Sequence, residues 1–147
     1  MKRILAAVDG SEQSQRAAAL AADLAIKLTG ELLLLSVIEE GETLDDRLIA
    51  FAQSEGLGDS PAAIAHAFGN KALADAQARA GATGATRVTS DIVAGDPADV
   101  ILATARERAI DLIVVGRTGR DGLAGMLLGS VSQKVVNGAD CPVLVVR

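Results

Sequence analysis

The sequence predicts an α/β fold: a three-layer α/β/α sandwich around a five-stranded, mostly parallel, open twisted sheet. Three observations carry that prediction. Short runs of Val, Ile and Leu alternate with longer segments patterned at helical spacing. Most of the runs are continuously apolar, as in strands covered on both faces, while Arg87 to Val93 alternates and is β-branched. Half of the 147 residues are apolar, yet there is no Trp or Tyr and only Phe51 and Phe68. The core is therefore built from Ala, Val, Leu and Ile, a composition suited to helices laid on a parallel sheet.

The elements follow in order. Arg3 to Val8 is a short apolar run bounded by Asp9-Gly10 and reads as a buried strand. Ser11 is placed to cap a helix over 12–28, whose stripe is Ala18, Ala21, Ala22, Ala25 and Leu28, with Gly30 just past its end. Leu32 to Ile38 is a second buried strand. Residues 39–60 are acidic and hold Gly41, Gly56 and Gly58. They read as a mobile excursion in which Leu44, Leu48 and Phe51 could form a short helix, with Asp45-Asp46 as solvated charge. Ser60-Pro61 and Asp96-Pro97 each pair a cap with Pro at the first helical position. They open an alanine-rich helix to about Ala80 and a helix from 97 to about 108. Arg87 to Val93, Leu112 to Val115 and Val143 to Val146 complete the strands. Ser130 to Asn137 is a last short helix ending before Gly138.

Composition bounds the function. A net charge of -5 with almost no aromatic platforms excludes nucleic acid as partner. A single cysteine, Cys141, excludes an internal disulfide and fits a reducing compartment. No apolar run approaches the roughly 20 residues of a membrane span, and the N-terminus does not read as a secretory signal. The expectation is a cytoplasmic protein. With one His and one Cys, a His/Cys zinc site cannot be assembled. His66 reads as a solvated or half-buried side chain of the alanine-rich helix, and Cys141 as a buried one.

The stretch from Leu112 to Asn137 organises the rest. A buried strand ends on Gly116, Gly119 follows, and Gly129-Ser130 precede a helix. Glycines permit φ > 0 and close approach of a phosphate, and a helix start offers unpaired N–H groups and a positive dipole end. Between 116 and 134 the bases Arg117, Arg120 and Lys134 face one acid, Asp121, in an acidic chain. The stretch is neither a Walker loop nor a Rossmann fingerprint, since both spacings are absent. Two readings stand: a phosphate cradle, or a surface loop whose glycines only make turns. Asp9 also has two, as a ligand group after the first strand or as a cap for the first helix. So does Ser130, as a phosphate ligand or as the cap of the last helix. In parallel sheets ligands bind beyond the strand carboxyl ends where strand order reverses. Asp9 and Gly116 would share one crevice if the first and fourth strands are neighbours.

Gly116-Arg117-Thr118-Gly119, nine residues, then Gly129-Ser130 matches the Gly-x2-Gly-x9-Gly-Ser/Thr motif. On that motif, with KRILAAVDGS, VAGDPADVI, DLIVVGRTG and CPVLVVR, the chain resembles the universal stress protein family (UspA-like) in its ATP-binding branch, over its whole length. Thr118 is a departure, since many members carry His there. The resemblance implies a single domain over 1–147 with a nucleotide-binding fold of the Rossmann-like, adenine nucleotide alpha hydrolase-like kind. It implies ATP with a divalent metal, Mg2+ or Mn2+, and a homodimer. Carried over, Gly116, Arg117, Gly119, Gly129 and Ser130 belong to the phosphate and ribose site. Val131 and Ser132 would add backbone and hydroxyl contacts, Asp9 would lie near ribose and adenine, and Val37 would meet adenine through its backbone.

The function expected is a nucleotide-responsive regulatory protein in stress response. No group is evidently placed to activate water, so catalysis is expected to be absent or limited to slow ATP hydrolysis. Two alternatives stay open: a weak ATPase or phosphotransferase using Arg117 or Arg120, and a nucleotide-free dimerisation module. The strand Val143 to Val146 is the expected dimer edge. A phosphoacceptor domain is disfavoured, because the first strand offers only Asp9 and the third ends at Val93-Ala94.

Overall fold

A computed structural model describes residues 2–39, 41, 44–119, 125 and 127–147. Among the described residues ten elements follow in order: β1 (Arg3–Ala7), α1 (Glu12–Lys27), β2 (Glu31–Ile38), α2 (Asp46–Ser54) and α3 (Pro61–Ala82), then β3 (Val88–Ala94), α4 (Pro97–Glu107), β4 (Leu112–Gly116), α5 (Ser130–Gly138) and β5 (Val143–Val146). The five strands form one sheet in the order β3-β2-β1-β4-β5, and every neighbouring pair is parallel. The expected α/β class and five-stranded sheet are present, and the sheet is wholly parallel.

Alternation along each strand divides the core in two. Ile4, Ala6, Leu32, Leu34, Leu112 and Val114 face the alanines of α1 and α3. Leu5, Leu33, Leu35, Ile113 and Val115 face α4 and α5. The alanine surfaces of α1 and α3 let these helices lie close to the sheet and to each other. Burial on both faces explains why the central strands read as unbroken apolar runs.

The 39–60 segment includes the short helix expected around Leu48 and Phe51. This helix, α2, buries Leu48 and Ala52 beside Ile64 of α3. Phe51 and Phe68 meet edge-to-face with ring centres 5.3 Å apart. Asp45, expected to be solvated charge, is the N-cap of α2: its Oδ1 accepts the Leu48 N–H at 2.9 Å. A cap satisfies a backbone donor that would otherwise be orphaned.

Strand order reverses between β1 and β4. The carboxyl ends of these neighbouring strands open the crevice expected at such a switch point. At the opposite end of the sheet, Asp111 Oδ2 accepts the backbone N–H groups of Lys2 and Arg3 at 2.8 and 2.9 Å, pinning the entry of β1 to that of β4. Among the described residues, no helix is long and apolar enough to cross a membrane.

Candidate functional site

The first wall of the crevice is the turn after β1. Val8 donates its N–H to Leu35 O at 2.8 Å, extending the ladder one residue past the strand. Gly10 then takes φ +85°, and a Cβ there would lie 2.7 Å from the Phe68 ring. Both demands select glycine. Asp9 Oδ1 accepts the Ser11 N–H at 2.9 Å, and Ser11 Oγ accepts the Ser14 N–H at 3.2 Å. The cap of α1 is therefore Ser11, and Asp9 braces the residue that caps rather than the helix itself. Ser14 is buried; its hydroxyl donates to Ser11 O and accepts the Asp9 N–H.

The second wall is the loop after β4 with the start of α5. Gly116, Gly119 and Gly129 were expected to permit positive φ and a close approach, and none is among the glycines with positive φ. They are selected by close approach. A Cβ on Gly116 would lie 3.2 Å from Gln13 Cβ and from Ser14 N, and one on Gly119 would lie 2.5 Å from Asp9 Oδ2. A Cβ on Gly129 would lie 3.2 Å from Thr118 Cα and 3.4 Å from Arg117 O. The motif glycines let α1, the 117–119 loop and α5 converge.

Ser130 is not the cap of α5. Gly129 occupies that position at φ -72°, ψ 169°, with no side-chain hydrogen bond, and Ser130 is the first helical residue. The capping arrangement, in which a side-chain oxygen accepts the N–H of the second or third helical residue, belongs to position 129, where glycine has no side chain. The other four described helices have side-chain caps, from Ser11, Asp45, Ser60 and Asp96.

These walls enclose a cavity of about 190 Å³. Of the residues singled out from sequence, Asp9 and Val37 line it from β1 and β2, and Gly116 and Gly119 from the end of β4. Gly129, Ser130, Val131 and Ser132 line it from α5. Arg117 does not line it. Leu35, Pro97 and Ile101 add an apolar flank that sequence reasoning did not assign to the site, and Glu39 adds a second carboxylate. No Lys or Arg lines the cavity among the described residues; Arg117 and Lys134 carry charge in this stretch but lie outside the lining. Arg120 and Asp121, the other charges of that stretch, lie outside the described residues.

The chain matches the model described as "Universal stress protein family" across residues 1–147. Universal stress protein YxiE of Bacillus subtilis is 37% identical over 146 residues, spanning 99% of this chain and 98% of that one. The chain belongs to the universal stress protein family. The solved structure of universal stress protein UspA from Lactobacillus plantarum superposes with a TM-score of 0.78 at 31% identity, covering 99% of this chain and 97% of that one. A universal stress protein solved in complex with cAMP superposes with a TM-score of 0.68 at 29% identity, covering 99% and 96%.

In this universal stress protein, Thr118 is 9% exposed, and its N–H and Oγ1 both donate to Gln13 Oε1, at 2.8 and 2.9 Å. Ser132 is 3% exposed, and its hydroxyl lies 2.7 Å from Arg117 O and 3.1 Å from Gly129 O, donating to these carbonyls. Gly129 N–H also donates to Arg117 O, at 2.8 Å. Gln13 was not singled out from sequence. Its partner is 105 residues away, and no local pattern marks it.

The remaining polar candidates lie elsewhere. His66 is exposed on α3, with Nδ1 3.0 Å from Asn70 Nδ2. Cys141 is half-buried before β5, rather than buried as expected. Desolvation first, then the Asp111 and Asp140 carboxylates, push its thiol above the ordinary value and keep it protonated. Among the described residues, no three His, Cys, Asp or Glu side chains cluster to hold a metal ion.

Proposed function

We propose that this universal stress protein is a cytoplasmic, ATP-binding regulatory protein that acts as a homodimer. The observation that carries the reading is the start of α5, which faces the switch-point cavity with Gly129 in place of a capping side chain. The N–H groups of Ser130, Val131 and Ser132 belong to the first helical turn, which has no carbonyl acceptors within the helix. An anion held there gains both those donors and the positive end of the helix dipole, worth about 0.3–1 kcal/mol at an exposed terminus. The triphosphate therefore lies against Gly119, Gly129 and α5. The apolar flank of Val37, Leu35, Pro97 and Ile101 takes the adenine, and the Asp9 carboxylate accepts from ribose hydroxyls. The cAMP complex of a relative at 29% identity supports an adenine nucleotide over other anions.

Two carboxylates, Asp9 and Glu39, line the cavity, and a bare polyphosphate would repel both. That donor set fits ATP bound with a divalent ion. Mg2+ is commonly held by phosphate oxygens, water and one or two carboxylates rather than by a protein cage. The ion would screen phosphate charge. The described lining holds no His, Lys or Arg to stabilise a transferring phosphoryl group, which favours binding over turnover.

The homodimer reading rests on β5, the sheet's edge strand next to β4. Its four residues are apolar and half-buried, and among the described residues its outer side has no strand partner. A second copy pairing there would cover an edge that is otherwise open. Calorimetric titration with Mg-ATP, alongside a phosphate-release assay, tests the nucleotide reading. Saturable binding without phosphate release above background is expected. Absence of binding overturns the reading, and fast turnover replaces it with an ATPase.

A further inference from the structure

The carbonyl of Arg117 and the N–H of Thr118 belong to one planar peptide unit. Its oxygen receives the Gly129 N–H and the Ser132 hydroxyl, both from the start of α5. Its N–H goes the other way, to Gln13 Oε1 on the first turn of α1. Thr118 Oγ1 adds a second donor to the same oxygen. A backbone N–H can only donate, so the Gln13 amide must present its oxygen here. The bonds are shielded, because Thr118 is 9% exposed. Gly116 makes the approach possible: a Cβ there would press on Gln13 Cβ at 3.2 Å.

We propose that Gln13 is a positioning residue of the phosphate loop. It does not line the cavity. It fixes the tilt of the Arg117–Thr118 plane and so the placement of Gly119, the next residue, on the cavity wall. A peptide unit held only by its oxygen can pivot about that end; held at both ends it cannot. The inference rests on the nucleotide reading above, and it makes α1 a third contributor to the cradle beside the β4 loop and α5. It also assigns Thr118 a role: its buried hydroxyl strengthens the grip on the same glutamine oxygen.

Gln13→Met keeps the length of the side chain and removes the acceptor; Gln13→Glu keeps an acceptor. Amide hydrogen exchange of Thr118, measured without nucleotide, reads the hydrogen bond directly. Protection is expected in the wild type and in Gln13→Glu, and loss of protection by about tenfold or more in Gln13→Met. The Mg-ATP dissociation constant is expected to rise about fivefold to tenfold in Gln13→Met, with an unchanged circular dichroism spectrum. Thr118 protection that survives in Gln13→Met, or is lost equally in Gln13→Glu, overturns the proposal. So does wild-type affinity in Gln13→Met. A wild-type protein that binds no ATP instead overturns the nucleotide reading, which separates the two failures.

Discussion

Ser132 gives its hydroxyl proton to the carbonyl oxygen of Arg117 across 2.7 Å, tying the first turn of α5 to the loop that leaves β4. The hydroxyl was expected to serve the phosphates. In the structure it ties together two parts of the cavity wall, and residues of the same turn line the cavity. Ser132→Ala is expected to lower stability by about 1 kcal/mol, the usual net worth of one buried hydrogen bond. Mg-ATP affinity should fall about threefold to tenfold, because Arg117 O loses this donor from α5 and keeps the Gly129 N–H. Urea denaturation and calorimetry measure the two effects separately.

Gly129→Val tests the convergence of loop and helix. The backbone at 129, φ -72° and ψ 169°, accepts any residue, so the fold should survive. The added side chain presses on Thr118 Cα and Arg117 O, 3.2 and 3.4 Å from the first new atom. An unchanged circular dichroism spectrum with at least about tenfold weaker Mg-ATP binding is expected. Gly129→Ala, with one carbon to accommodate, should fall between the two.

Much of the fold was legible in the sequence because its central strands, β1, β2 and β4, are buried on both faces. Leu32 to Ile38 and Leu112 to Val115 leave no polar alternation to misread, and Ser60-Pro61 and Asp96-Pro97 mark helix starts by chemistry alone. The cavity was legible through its motif, whose Gly116, Gly119, Gly129 and Ser130 line it together with Asp9 after β1. What was not legible depends on partners distant in sequence. Glycine has two uses, positive φ and a missing Cβ, and sequence does not distinguish them. At Gly116, Gly119 and Gly129 the second applies. Asp45 reads as solvated charge until a helix is known to begin beside it. Gln13 looks like any surface residue of a first helical turn until Thr118 is folded against it.

Asp111 makes acid stability testable. Its carboxyl is held below its ordinary value of 3.8, first by the Lys2 N–H and then by that of Arg3. A carboxyl depressed by folding contributes stability that is present above its unfolded value and lost as pH falls through the folded one. Asp111→Ala should therefore lower Tm at pH 7. The gap to wild type should narrow as pH falls below 3.8. Differential scanning calorimetry across pH 2–7 checks both the sign and the window.

The edge strand offers a test of the dimer. Pro142 O and Val146 O accept from Ile113 and Arg117, so these even-numbered residues face β4. By alternation, Val143 and Val145 direct their N–H groups to the open edge. Val145→Pro removes one outward donor and leaves the β4 ladder intact, the position at which proline is tolerated in a strand. Sedimentation is expected to give a dimer for the wild type and a monomer for Val145→Pro. A wild-type monomer, or an unaffected dimer in the variant, rejects β5 as the interface.

The account stands on a phosphate cradle formed by the uncapped start of α5 and the glycines packed against it. Amide chemical shifts followed during titration with Mg-ATP test it most directly. The largest changes are predicted at Gly119, Gly129, Ser130, Val131 and Ser132, with smaller ones at Asp9 and Val37. Shifts that cluster elsewhere on the molecule, or saturating ATP that leaves the α5 amides unmoved, would contradict it.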